Sequence, residues 1–120
     1  FPDLSDPEFF AYQKEQRRGR FQPELEAEMD KLRAADLVIF QFPLWWFSLP
    51  AILKGWVDRV FAMGFAYDAG RSYETGPLRG KQAMLAFTTG GPPWAYAASG
   101  RNGDLAGLLR HIEHGMLYFT

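Results

Sequence analysis

The sequence contains no cysteine among its 120 residues. Disulfide frameworks, thiolate-bound zinc and cysteine nucleophiles are therefore excluded, and the redox compartment is left open. An excess of one charge is also missing: 13 Lys and Arg stand against 14 Asp and Glu, a formal net charge of −1. That balance argues against a nucleic-acid or polybasic membrane role. No apolar run approaches the roughly 20 residues of a membrane-spanning helix, and no repeat or low-complexity tract is visible. Phe1 opens no signal peptide and stands where an initiator methionine would be. Histidine is scarce too. His111 and His114 are three apart, but with no second Cys/His cluster they read as ordinary helix residues and not as a metal site.

What is present is globular: 48% hydrophobic, 22% charged and 17% aromatic residues, enough for one domain at most. The organising stretch runs from Asp36 to Met63. Leu37 to Phe42 is a short, β-branched and aromatic run that predicts a strand buried on both faces, stopped by Pro43. From Pro50 the period becomes helical, with Ile52, Trp56 and Val60 in one row and Leu53, Val57 and Phe61 in the next. Pro50 fits the first turn of that helix, with Ser48 as its cap. Upstream, Pro23 to Ala34 predicts a surface helix: Glu24, Glu26 and Glu28 load its start, Lys31 and Arg33 its end, and Leu25, Met29 and Leu32 form its apolar stripe. Ser5 to Arg18 could hold another short helix, and Arg17, Arg18 and Arg20 read as a solvated basic loop. Gln82 to Thr88 predicts a second buried strand, and Asp104 to about Leu117 a third clear helix capped by Asp104. Only two convincing strands are present, whereas doubly wound sheets usually have about five. The chain thus reads as the middle of a domain.

Two segments follow the strands directly. Pro43, Leu44, Trp45, Trp46, Phe47 and Ser48 lie after the first, and Thr88, Thr89, Gly90 and Gly91 close the second. Open α/β sheets place ligands at the C-terminal ends of their strands. Paired glycines there let backbone approach a ligand and present N–H groups to it. The long connection 64–80 adds Phe65, Tyr67 and Tyr73, of which Tyr73 reads as part of a satellite hydrophobic cluster. A pocket of tryptophans, phenylalanine, tyrosines and backbone amides is poor in proton-transfer groups and suits a flat π-system. In such a site a cofactor carries the chemistry and the protein orients it.

The same residues carry a resemblance. Gln41 to Trp56, QFPLWWFSLPAILKGW, closely resembles the signature segment of the flavin-dependent NAD(P)H:quinone oxidoreductases, the DT-diaphorase family. Gly64-Phe65-Ala66-Tyr67 and Thr88-Thr89-Gly90-Gly91 resemble that family's next landmarks, in order and at fitting spacing. The similarity covers most of the chain from about Phe21. It implies a flavodoxin-like α/β/α three-layer sandwich with a parallel sheet, here incomplete at both ends, lacking the first strand, the phosphate-binding loop and the C-terminal part. It also implies a cytoplasmic homodimer using FAD (alternatively FMN), with NAD(P)H as co-substrate, to reduce quinones or similar planar acceptors by a ping-pong cycle. The cofactor would be held by Pro43, Leu44, Trp45, Trp46, Phe47, Thr88, Thr89, Gly90, Gly91 and Tyr96. Substrate would meet Trp46, Phe47, Asn102 and Tyr67, the last contributed across the dimer interface. Tyr96 and Asn102 would be the catalytic pair. Hydride reaching flavin N5 leaves negative charge on the N1–C2=O edge, for which Gly90, Gly91 and the Tyr96 hydroxyl are the candidate donors. Similar animal enzymes have histidine where this chain has Asn102. Asparagine does not ionise near neutral pH, so hydride transfer without a Tyr–His relay, and a different pH profile, are expected. Two alternatives stay open: an FMN-dependent azo or nitro reductase or potassium-efflux-associated flavoprotein, and a non-catalytic fragment or interaction module.

Overall fold

The computed structural model describes residues 21–120 together with Gln16 and Gly19. The helix expected within residues 5–18 and the basic run at 17, 18 and 20 lie outside the described residues.

Among the described residues, five regular elements follow in order: helix α1 (Pro23–Ala34), strand β1 (Leu37–Pro43), helix α2 (Ala51–Val60), strand β2 (Gln82–Thr88) and helix α3 (Leu105–Ile112). Short 3₁₀ turns form at Tyr73–Thr75 and Pro93–Tyr96, and a π-helical turn at Glu113–Leu117 extends α3. The strands pair in parallel, from Leu37 opposite Gln82 to Pro43 opposite Thr88. This agrees with the expected parallel sheet and brings both C-terminal ends to one place. No helix among the described residues is long and apolar enough to cross a membrane.

The period of two decides which side chains meet the helices. Phe40 and Phe42 of β1, with half-buried Leu85 and Phe87 of β2, pack against Leu53 and Val57 of α2 and Leu109 and Ile112 of α3. Phe42 stacks on Phe87 with ring centroids 5.8 Å apart. A second cluster joins Met29 and Leu32 of α1 to Val60, Ala62, Phe65 and Ala66. The α1 dipole expectation holds, since Glu24 and Glu26 lie in its first turn and Lys31 and Arg33 in its last. Tyr73 packs against the rings of Tyr118 and Phe119, the satellite cluster its surroundings predicted.

Four local expectations need correction. Pro43 does not stop the first strand: β1 includes it, opposite Thr88, because the ladder there needs no N–H from it. The strands are not buried on both faces among the described residues: Leu37 (42%), Ile39 (55%) and Met84 (51%) are exposed on the face opposite the helices. A continuous apolar run does not reveal which of its faces the available elements cover. Pro50 is the residue before α2 rather than part of its first turn, and Ile52 on that helix is open to solvent. Ser48 does not cap α2, because its hydroxyl is engaged elsewhere.

Candidate functional site

At the shared strand end, the Leu44 N–H donates to the Thr88 carbonyl at 2.8 Å and continues the ladder one residue past Pro43. Leu44 and Leu49 are buried on either side of an exposed turn, so the apolar anchors hold its base. Within it, the Ser48 N–H donates to the Trp45 carbonyl at 3.0 Å, and Trp46 (φ 52°) and Phe47 (φ 60°) are both left-handed. Two successive positive φ values define a type I′ turn, which normally uses Gly, Asn or Asp. Holding bulky L-residues there costs about 1–2 kcal/mol each. Such strain persists only where the surroundings fix it, and it concentrates at ligand sites. The turn presents its aromatic rings outward, with Trp46 95% and Trp45 62% exposed.

The second wall follows β2. Among the described residues, the N–H groups of Gly90 and Gly91 donate to no backbone acceptor. The Thr89 hydroxyl donates to the Gly91 carbonyl at 3.0 Å and folds this segment back on itself. Pro92 and Pro93 then lead into the 3₁₀ turn that carries Tyr96. The Asn102 N–H donates to the Ala95 carbonyl at 2.8 Å, which returns the chain beside that turn. Gly100 permits the return, since a Cβ there would lie 2.5 Å from the Ala95 carbonyl oxygen. A Cβ on Gly91 would meet Tyr96 Cε2 at 3.1 Å, and both Tyr96 Oη and Asn102 Nδ2 at 3.4 Å. Gly91, Tyr96 and Asn102 therefore converge, although eleven positions separate the first and last.

Pro43, Leu44, Trp45, Trp46, Thr88, Thr89 and Gly90 line one cleft of about 370 Å³. The two segments singled out in the sequence thus face each other across one opening, with the Tyr96–Asn102 group beside Gly91 at its edge. Tyr67 is not brought to this cleft. It lines a separate groove with Phe61, His111, Met116 and Phe119, its ring 5.4 Å from that of Phe119. Phe47 does not line the cleft. Among the described residues, no group of three or more His, Asp or Glu is assembled that could hold a metal ion.

Sequence reasoning missed one contact. The Ser48 hydroxyl lies 3.0 Å from His111 Nε2, on a helix 63 residues later. No local pattern announces a pair so far apart.

A flat conjugated cofactor fits these residues. The cleft is walled by indole rings on one side and, on the other, by hydroxyls and by backbone N–H groups that among the described residues have no backbone acceptor, and the missing side chain at Gly91 keeps the Tyr96–Asn102 edge approachable. Comparisons with known proteins point the same way. The sequence model of the flavodoxin-like fold family matches residues 1–120. The human ribosyldihydronicotinamide dehydrogenase [quinone] is 50% identical over 120 residues, covering 97% of this chain and 52% of that protein. The rat NAD(P)H dehydrogenase [quinone] 1 is 48% identical over 118 residues, covering 95% of this chain and 43% of that protein. Among solved structures, a Klebsiella pneumoniae protein assigned as a quinone reductase superposes with a TM-score of 0.82 at 45% identity, over 90% of this chain and 45% of that one. The chain thus spans about half the length of the curated relatives it matches.

Proposed function

This chain belongs to the flavodoxin-like fold family, and from that premise we propose that the complete protein is a flavin-dependent NAD(P)H:quinone oxidoreductase. The observation that carries the reading is the meeting, at one end of two parallel strands, of a strained aromatic turn with a Gly-Gly segment and the Tyr96–Asn102 pair. The names of the human and rat relatives supply the reaction class, a dehydrogenase with a quinone acceptor.

When bound, the flavin (FAD, with FMN as the alternative) supplies the hydride chemistry between NAD(P)H and a quinone. The chain's own residues bind and orient. Pro43 to Trp46 form an apolar wall, Trp46 offers a ring face to planar partners, and Phe47, next in the turn but outside the cleft, is assigned to contact with the larger bound partners. Thr88 supplies a hydroxyl donor and Gly90 and Gly91 backbone donors at the opposite wall, where Thr89, its own hydroxyl proton engaged by the Gly91 carbonyl, holds the segment in place. The Tyr96 hydroxyl is a third donor toward the side of the ring that gains negative charge, where a preorganised donor lowers the barrier. Asn102 hydrogen-bonds without taking up a proton, so the Tyr96–Asn102 pair orients and does not relay. Because NAD(P)H and quinone would use the same opening in turn, a ping-pong order follows. Tyr67, away from this cleft, is assigned to substrate contact across a homodimer interface. The exposure of Trp45, Trp46 and Trp94 supports such a partner surface. Further chain of the same domain is proposed to cover the open sheet face at Leu37, Ile39 and Met84 and to complete a three-layer, cytoplasmic enzyme.

The test is purification of the full-length protein, identification of any released flavin by chromatography, and steady-state kinetics with NADH or NADPH and a quinone. Bound flavin and parallel double-reciprocal lines are expected. A colourless protein that takes up neither FAD nor FMN would refute the assignment.

A further inference from the structure

The Ser48–His111 contact has a fixed sense. His111 Nδ1 lies 2.9 Å from the Leu108 carbonyl oxygen, which can only accept, so Nδ1 carries the proton. In the neutral ring Nε2 is then an acceptor, and the Ser48 hydroxyl, 3.0 Å away, donates to it. Ser48 is the last residue of the type I′ turn, and its own N–H closes that turn on the Trp45 carbonyl. The two left-handed residues, Trp46 and Phe47, lie between that closure and the tether. A strained turn relaxes unless both ends are held. Its entry is held by the strand ladder through Leu44 and Thr88, and its exit by α3 through His111.

We propose that His111 is a positioning residue: by accepting the Ser48 hydroxyl it locks the aromatic turn in its left-handed form, and so sets the wall against which a planar ligand binds. The second half of this statement rests on the flavin reading given above; the first half does not. His111 touches no reacting atom in this scheme. It acts through Ser48.

The experiment uses the full-length protein and four single variants: Ser48→Ala, His111→Ala, His111→Gln and His111→Asn. A glutamine places an amide oxygen where Nε2 stands, whereas asparagine reaches only the position of Nδ1 and keeps only the Leu108 side. Two readouts are taken, native-state chymotryptic cleavage after Trp45, Trp46 or Phe47, and flavin affinity by fluorescence titration. Ser48→Ala and His111→Ala are each expected to speed cleavage at the turn and weaken flavin binding by roughly three- to tenfold, the equilibrium equivalent of one neutral hydrogen bond. The Ser48→Ala/His111→Ala double variant should be no worse than either single change, because both remove the same bond. His111→Gln should recover most of both losses and His111→Asn neither. Unchanged cleavage in both alanine variants, multiplying losses in the double variant, or equal recovery by asparagine and glutamine would each overturn the tether. If the protein holds no flavin at all, the functional reading fails, yet the cleavage series still decides the tether. If flavin binds normally while cleavage stays unchanged, the tether fails and the functional reading stands.

Discussion

Replacing Gly91 by alanine should disturb the reaction chiefly through Tyr96, the nearest group to the new methyl. Gly91 has no left-handed backbone, so the substitution brings no conformational strain. Its effect is steric: the new methyl would lie 3.1 Å from Tyr96 Cε2 and 3.4 Å from the Tyr96 hydroxyl and the Asn102 amide nitrogen. The half-buried ring can yield by a few tenths of an ångström, so the stability loss should stay near the low end of overpacking, about 1 kcal/mol. A displacement of about 1 Å costs roughly 100-fold in rate, so this smaller shift should slow flavin reduction about three- to tenfold. Tyr96→Phe removes the donor outright and should slow the same step about 10- to 100-fold, the scale of a lost or partly lost oxyanion-type hydrogen bond. Oxidised flavin should bind nearly as before in both. In the Tyr96→Phe background, Gly91→Ala should add little, because the group it displaces is already gone. Gly55→Ala on α2 is the internal control, since a Cβ there meets nothing within 4 Å and the residue does not line the cleft. The assay is anaerobic stopped-flow reduction by NAD(P)H, with thermal unfolding run on the same samples. Rate losses that multiply independently, or a Gly55→Ala effect equal to that of Gly91→Ala, would refute the reasoning.

Trp46→Ala should leave the thermal midpoint nearly unchanged, because the side chain is 95% exposed. It should weaken ligand binding in both redox states, as lost ring contact acts on ground and transition states alike; redox-resolved titration distinguishes this from the Tyr96 pattern. The Tyr118 hydroxyl donates to Glu74 Oε1 at 2.5 Å, which holds the Glu74 carboxyl below its ordinary 4.5 and pushes the Tyr118 phenol above its ordinary 10.0. A lowered carboxyl contributes stability present above its unfolded value and lost as pH falls through the folded one. A raised phenol contributes stability present below 10.0 and lost as pH rises through its folded value. Urea midpoints measured across pH should therefore decline at both ends, and Glu74→Gln should flatten both declines. Residues 21–120 expressed alone should give a molten or aggregating species with weak flavin binding, because the face of Leu37, Ile39 and Met84 is uncovered; a cooperative unfolding transition with tight flavin binding would contradict this.

The legible parts of the fold were those written as periodicity. The helix expected at 23–34 forms over those same residues, and the strand expected at 82–88 forms over Gln82–Thr88. The Asp104 cap is present as well, accepting from the Gly107 N–H at 3.0 Å. What stayed hidden was of two kinds. Which face of β1 is covered depends on the other elements, and the run Leu37 to Phe42 is apolar on both sides. The left-handed turn was invisible because its two residues are tryptophan and phenylalanine, where type I′ turns usually announce themselves with Asn-Gly or Asp-Gly. Its anchor was invisible because Ser48 and His111 are 63 positions apart and meet only after α2 and α3 have packed on the sheet. The Gly91–Tyr96–Asn102 meeting was half legible. The resemblance pointed to all three, but only the folded return through Gly100 brings them together.

That division bears on how the site holds its shape. Among the described residues, those lining the cleft carry no ionised side chain, and the fixed dipoles there and at the edge are the backbone N–H groups of Gly90 and Gly91 and the hydroxyls of Thr88, Thr89 and Tyr96. Backbone donors cannot be repositioned by rotamer changes, so their aim is set by the strand ladder, by the fold-back at Thr89 and by the return through Gly100. The aromatic wall has the opposite character: it is built from long side chains on a strained turn, and its geometry is only as good as its two anchors. A site of this kind should be insensitive to charge substitutions nearby. It should respond instead to changes that alter backbone placement, at Gly91 and Gly100 on one wall and at Ser48 and His111 on the other. The strain at Trp46 and Phe47 coincides with the outward presentation of the indoles, Trp45 being 62% and Trp46 95% exposed.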